Sequence, residues 1–322
     1  MQNINGKFLS PIEKQVAITD LTRLNPDFVG MLETNNPWNN QQFTELRSVL
    51  SPLWPYSQHI QANCPSDPNL PELTGKQQGG FLQFAHGSHS GRIKTRTTDY
   101  LGRWGTQIVR LRQGRSLAIL TAYRPCNTPL TTATEGTVLK QQFRELRRRG
   151  VDEPNPRQLF LQDLTKHVLQ LQSDGNSILL GLDANPTRPD QFLVKCGLQD
   201  LLAEKYPNPT ATHKKGNRLD LIVGCSFVSS HVERISILDS PYGADSDHAV
   251  LYVDLSKKIF CKQTDPTAPP VRGFRITDKK RTAKFRKRVK KAPSIQSHSR
   301  ETGSSAREYL GPCSYRTSVQ FY

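Results

Sequence analysis

Apolar side chains recur along the chain with two periods. At helical spacing, Ile12, Val16, Ala17, Leu21 and Leu24 predict one helix that Asn25-Pro26 stops. Phe43, Leu46, Val49, Leu50 and Leu53 predict a second, and Phe160, Leu164, Val168 and Leu171 a third. Ser10-Pro11-Ile12-Glu13 opens the first, with a capping hydroxyl, proline at the first helical position and glutamate three residues after the cap. Near-continuous apolar runs at 28–32, 81–85, 106–111, 117–122, 178–182, 219–223 and 249–253 predict buried strands. Gln113-Gly114 joins two of them as a hairpin, and a short helix is expected around Phe192. The alternation of helices with buried strands predicts an α/β fold.

The strands end in polar residues. Ile178-Leu179-Leu180-Gly181-Leu182 runs into Asp183-Ala184-Asn185, and in extended chain Asp183 and Asn185 point the same way. Such a pair can hold a water, a phosphate or a metal, or merely close the strand as an Asx turn. Asn3 follows only two residues; read as a strand end, it is expected to close a truncated first strand. Glu33 ends the run 28–32 in front of Thr34-Asn35-Asn36, where it is either a cap or a carboxylate ligand for a hard cation. Tyr123 ends the hairpin. Asp220 lies just inside the run 219–223, where an aspartate needs a partner to offset its desolvation. Asp247-His248 precedes the last strand. His167, with no ligand partner at helical spacing, reads as a surface residue.

Charge divides the chain. Of 44 Lys and Arg and 28 Asp and Glu, residues 256–322 hold 17 and 4, which leaves 27 and 24 for residues 1–255. A nearly neutral domain over 1–255 is therefore expected to carry a basic linker or tail over 256–322, disordered or partly helical, whose partner is an anion, nucleic acid first. Six cysteines without a C-x-x-C pair indicate reduced thiols rather than a zinc module or disulfide framework. No apolar run has membrane-spanning length and no signal segment opens the chain, so an intracellular, membrane-free protein is expected.

Taken in order, Asn3, Glu33, Tyr123, Asp183-x-Asn185, Arg218-x-Asp220 and Ser246-Asp247-His248 resemble the endonuclease/exonuclease/phosphatase family, over about residues 1–255. Within it the likeness is greatest to the endonuclease domain of non-LTR retroelement proteins. The resemblance implies a four-layer α/β/β/α sandwich of two mixed β-sheets flanked by helices. It further implies Mg²⁺, with Mn²⁺ as the alternative, held by Glu33 with Asp247. Asn3 would lie near metal and phosphate, Asp183 and Asn185 would position the attacking water and the scissile phosphate, Tyr123 would brace a phosphate oxygen, and Asp220 would orient His248.

The residues suit phosphodiester hydrolysis, which needs an in-line nucleophile, charge stabilisation on the phosphate and help for the leaving oxygen. Arg124, Lys214, Lys215 and Arg218 are expected to contact nucleic acid, as are Arg286, Lys287 and Arg288 in a run, 279–291, where nine of thirteen residues are Lys or Arg. The segment 269–278, Pro-Pro-Val-Arg-Gly-Phe-Arg-Ile-Thr-Asp, resembles the link between endonuclease and reverse transcriptase in retroelement proteins. The expected activity is DNA endonuclease of the retroelement type, nuclear, with a reverse transcriptase encoded separately as partner. A repair endonuclease acting at abasic sites is the alternative; Cys126 stands against it, because AP endonucleases usually carry asparagine after Tyr-x-Pro. An inositol phosphatase ranks third, and an inactive nucleic-acid-binding remnant is the reading from a different class.

Overall fold

In the computed structural model, described for residues 1–65, 76–238 and 243–260 and for the backbone of 318–320, the buried runs become the inner strands of two sheets. The first half of the chain supplies β1 (Gln2–Asn3), α1 (Pro11–Thr22), β2 (Phe28–Leu32), α2 (Asn40–Leu53), β3 (Gln58–Ala62), β4 (Phe81–Ala85) and β5 (Ile93–Thr98). Next come β6 (Trp104–Arg110), β7 (Ser116–Tyr123), α3 (Val138–Arg148), α4 (Pro156–Ser173) and β8 (Asn176–Asp183). The remainder supplies α5 (Asp190–Lys195), β9 (Gln199–Asp200), α6 (Leu201–Lys205), β10 (Asp220–Gly224), α7 (Ser226–Ser229), β11 (Val232–Leu238), β12 (Val250–Leu255) and β13 (Ser318–Gln320).

One sheet has the order β11-β12-β13-β2-β4-β3, with β1 also on β2; the other has the order β5-β6-β7-β8-β10-β9. Both are mixed, as expected. Phe28, Leu32 and Phe81 of the first sheet meet Leu117, Ile119, Leu179 and Ile222 of the second in a dry inter-sheet core. Outside the second sheet, Phe160, Leu164, Val168 and Leu171 of α4 cover Ala118, Leu120, Leu180 and Leu182. Outside the first, Ala17, Ile18 and Leu21 of α1 and Leu46 and Leu50 of α2 cover Val29, Met31, Leu82 and Phe84. The four layers follow.

The sheets approach closely at Gly30. A Cβ there would lie 2.3 Å from the Thr121 Oγ1 of the facing sheet. Gly30→Ala is expected to cost about 1–3 kcal/mol through overpacking; a urea midpoint equal to that of the unaltered protein would refute the close approach.

The capping box forms as read. Ser10 Oγ accepts from the Glu13 N–H (3.2 Å) and Glu13 Oε2 accepts from the Ser10 N–H (2.9 Å). The buried face of α1 differs from the expected one: Ile12 and Val16 are 75% and 54% exposed, while Ala17, Ile18, Leu21 and Lys14 face inward. Lys14 turns the helix. Its Nζ donates to Glu45 Oε2 (2.7 Å) and Gln42 Oε1 (2.6 Å) of α2, a buried charge satisfied only in that orientation. His167 also departs from its surface reading, since it is half-buried with Nε2 2.9 Å from Thr106 Oγ1.

The first strand is short and its place is shared. β1 runs parallel to β2 (Asn3 opposite Leu32), and Met1 exchanges backbone hydrogen bonds with Leu251 at 2.6 and 2.9 Å. β13 lies one level back in the same position, parallel to β2 at Phe28 and antiparallel to β12. Packing continues past residue 255, for Ile259 and Phe260 are buried. Arg286, Lys287 and Arg288, with the rest of the expected basic tail from 261 to 317, fall outside the described residues, as does most of the loop expected at 65–76.

Candidate functional site

Register does most of the assembly. Tyr123 at the end of β7 lies opposite Asp183 at the end of β8, in parallel pairing, and Asp183 lies opposite Asp220, which opens the antiparallel β10. Three polar residues thus align across three adjacent strands of the second sheet. The first sheet brings Asn3 to the same end, where its Nδ2 donates to Asp183 Oδ2 at 2.8 Å. Asp183 Oδ1 accepts from the Asn185 N–H at 2.9 Å, so the Asx turn and the functional pair are one structure. Asn185 is in the left-handed region (φ 56°), and its Nδ2 donates to the Arg124 carbonyl.

Asp183 and Asp220 are both fully buried. Burial pushes Asp183 up to about 8, and the charge of Asp220 adds to it. His248 supplies the compensating cation, with Nδ1 2.8 Å from Asp220 Oδ2. Burial pulls the imidazole down, but the hydrogen bond to Asp220 and the charges of Asp220, Asp183 and Asp247 outweigh it and carry His248 to about 9. The expected pairing of Asp220 with His248 is present. Asp220 Oδ1 is buried with no hydrogen-bond partner, an unsatisfied acceptor at the centre of the site.

Asp247 sits at the rim. Its Oδ1 accepts from Asn5 Nδ2 (3.2 Å) and its Oδ2 from His213 Nε2 (3.2 Å). Desolvation raises its carboxyl, but the His248 charge and the Asn5 hydrogen bond prevail, and Asp247 titrates below the usual range. His213 was not singled out from the sequence. Its Nδ1 accepts from the Lys215 N–H at 3.0 Å, so in the neutral ring Nε2 carries the hydrogen and donates to Asp247. The ring packs edge-on against His248, centroids 4.8 Å apart. The polar turn before β10 was the available signal, because His213 makes a strand-like bridge to His248.

Glu33 follows β2 in a left-handed conformation (φ 49°), uncommon for a glutamate. It lines a cleft of about 230 Å³ with Asn5, Asn35, Tyr123 and Cys126. Burial pushes its carboxyl up against the opposing hydrogen bond from Tyr123. Burial and the Glu33 charge push the Tyr123 hydroxyl well above its usual range, so the phenol stays protonated and donates. Cys126 Sγ lies 3.4 Å from Asn185 Oδ1 and 3.7 Å from the Tyr123 hydroxyl, in the position read from the sequence as a departure.

The donor set fits a hard divalent cation. Glu33 is a desolvated carboxylate with no ion-pair partner among the described residues, and its cleft is lined by amides, a phenol and hydroxyls together with the Cys126 thiol and Lys76. The ligand atoms of Asp183, Asp220 and His248 lie within 4.8 Å of one another, as do those of His213, Asp247 and His248; Glu33 belongs to neither group.

The basic residues divide. Arg218 is held by Asp200 in a two-point ion pair (2.8 and 2.7 Å) and is largely buried, so its charge serves the fold instead of the expected nucleic-acid contact. Lys214 and Lys215 are exposed on the turn that carries His213, and the Lys214 N–H donates to the Asp247 carbonyl at 2.8 Å. Arg124 is buried and lines a second cleft with Arg157, a residue passed over in the sequence. None of the described helices is long and apolar enough to cross a membrane.

No family model and no curated protein matches the sequence. The fold is similar to that of a 3′ phosphatase, NExo, from Neisseria bound to product DNA hairpin (14% identity, 79% of this chain and 97% of that chain, TM-score 0.53). It is likewise similar to an AP endonuclease from Archaeoglobus fulgidus (14%, 79% and 97%, TM-score 0.51). The AP endonuclease LMAP from Leishmania major compares at 12% identity over 77% of this chain and 84% of that chain, with a TM-score of 0.51. At such identities the shared property is the fold, two mixed sheets flanked by helices.

Proposed function

We propose that the chain is a divalent-metal-dependent phosphodiester hydrolase that cuts DNA, an endonuclease of the retroelement type. The observation that carries this reading is the buried Asp183–Asp220–His248 constellation, with Asn3 and Asn185 fixed on Asp183. It joins a proton acceptor to an imidazolium at one end of both sheets.

Asp183, oriented by Asn3 and the Asn185 backbone, in its ionised form takes a proton from the attacking water. His248, kept protonated by Asp220, donates to a phosphate oxygen and stabilises the charge that develops there. Tyr123, a donor at neutral pH, braces a second oxygen. Glu33 would hold the cation, Mg²⁺ first, with Asp247 and the neighbouring amides. A bound divalent cation supplies neutralisation of the phosphate and polarisation of the leaving oxygen. Exposed Lys214 and Lys215 contact the backbone of the substrate.

The retroelement type rests on the segment 269–278 and the basic run 279–291, which fit a nuclear protein that works with a separately encoded reverse transcriptase. A repair endonuclease is the second reading, favoured by the AP endonucleases among the similar structures. Nicking of supercoiled plasmid separates the readings. Cleavage with Mg²⁺ that EDTA abolishes and Glu33→Gln lowers about 10²–10⁴-fold is expected, the scale of a lost catalytic contribution. Cleavage only of plasmid carrying abasic sites would support repair, and no cleavage under any divalent cation would leave a nucleic-acid-binding remnant.

A further inference from the structure

Between α4 and α5, on the outer side of the second sheet, lies a cleft of about 650 Å³, within the size range of sites for small ligands and far larger than a single ion requires. Four cations line it, Arg124, Arg157, Lys166 and Lys195, together with side-chain amides such as Gln158 and Gln191; no carboxylate does. The lysines are exposed at the rim, whereas the two arginines are each 8% exposed.

Neither arginine forms an ion pair among the described residues. Arg124 donates from Nη1 to the Thr187 carbonyl (3.1 Å), and its Nε is buried with no partner; Arg157 donates from Nη1 to the Pro125 carbonyl. Burial and the neighbouring Arg157 charge pull Arg124 down to about 10. Two buried guanidiniums lining one cleft, with no ion pair and only the charge of Asp183 reaching Arg157, are costly unless an anion completes them, and their forked donors match phosphate.

We infer that this cleft is a phosphate-binding subsite that takes a nucleotide, its phosphate on Arg124 and Arg157 and its remaining polar groups on the amides. Arg124 ties the cleft to the catalytic strand ends. It follows Tyr123, its N–H donates to the Asp183 carbonyl (3.0 Å), and its own carbonyl accepts from Asn185. A nucleotide of the substrate strand next to the scissile bond is therefore the first source of that phosphate, a free mononucleotide the second. The first source rests on the nuclease reading; the site itself does not.

Binding on an Asp183→Asn background keeps the test independent of cleavage. Anisotropy of a labelled DNA duplex is followed across a salt series, and AMP binding by the shift in thermal midpoint. The variants are Arg157→Gln and the exposed pair Lys166→Gln with Lys195→Gln, which touches nothing buried. Arg157→Gln is expected to weaken DNA binding roughly tenfold, the scale of a lost charged hydrogen bond, and to lower the salt slope by about 1. The rim pair is expected to lower the slope by about 2. If DNA binding holds while AMP stabilisation disappears in both variants, the site stands and its ligand is a free nucleotide. Unchanged binding of DNA and of AMP in both variants overturns the subsite. Loss of DNA affinity in these variants, when the protein with Asp183 in place never nicks plasmid under any divalent cation, would refute the nuclease reading and leave the subsite intact.

Discussion

Asp183→Asn is expected to lower plasmid nicking by about 10²–10⁴-fold while leaving the fold intact, because the substitution keeps the shape and removes the proton acceptor. The carboxamide still presents an oxygen to the Asn185 N–H or to Asn3 Nδ2, so the strand end stays closed. The same change is expected to stabilise the metal-free protein at alkaline pH. An aspartate raised to about 8 binds a proton in the folded state that the unfolded chain has already released, so its folded form becomes less favourable as pH rises from about 4 to 8. Asparagine carries no such penalty. Urea titrations in EDTA at pH 6 and 8.5 should show the stability advantage of the variant growing with pH. An advantage that shrinks would mean that Asp183 is not the desolvated acid described here, and full nicking activity would remove it from the chemistry.

What was legible in the sequence follows from what burial does to composition. The inner strands β2, β4, β7, β8, β10 and β12 are covered on both faces and read as continuous apolar runs. Of the strands that escaped notice, β3, β5, β9 and β11 are the four sheet edges, whereas β13 lies inside the first sheet in the stretch read as a basic tail. β5, Ile-Lys-Thr-Arg-Thr-Thr, leaves five of its six residues exposed, a composition that suits an edge and hides it from a hydrophobic search. The site was legible for a related reason. Asp183, Asp220 and Glu33 each interrupt an apolar run or end it, and such an interruption is visible without coordinates.

The parts that were not legible depend on distant partners. Lys14 in a helix reads as solvent-facing until Glu45 and Gln42 are known to lie beside it. Arg218 reads as a phosphate ligand until Asp200 is found opposite. Arg157, three residues before Phe160 at the start of an apolar stripe, reads as a helix surface, and only the cleft shows it buried with Arg124. His213 had no local periodicity to mark it; its place at the site depends on the bridge to His248 across 35 residues.

Asp220→Asn should produce the largest loss of stability. Removing one member of a buried, hydrogen-bonded ion pair costs about 3–5 kcal/mol, and here the amide would also set a donor where Asp220 Oδ1 already lacks a partner. The pH dependence identifies the pair. His248 titrates at about 9 in the folded protein against the usual 6.5, so the folded state holds a proton that the unfolded chain releases. The stabilisation is fully present below about pH 6.5 and is lost as pH rises through about 9. In the metal-free unaltered protein, stability should fall across that window; in Asp220→Asn it should start lower and fall less, because a His248 without its carboxylate has no reason to titrate so high while the burial of Asp183 still contributes its own fall. Parallel curves for the two proteins would show that the alkaline loss comes from another group. Nicking should fall with the substitution as well, through the imidazolium that Asp220 keeps charged and aimed, and His248→Asn added to Asp220→Asn should then reduce it little further.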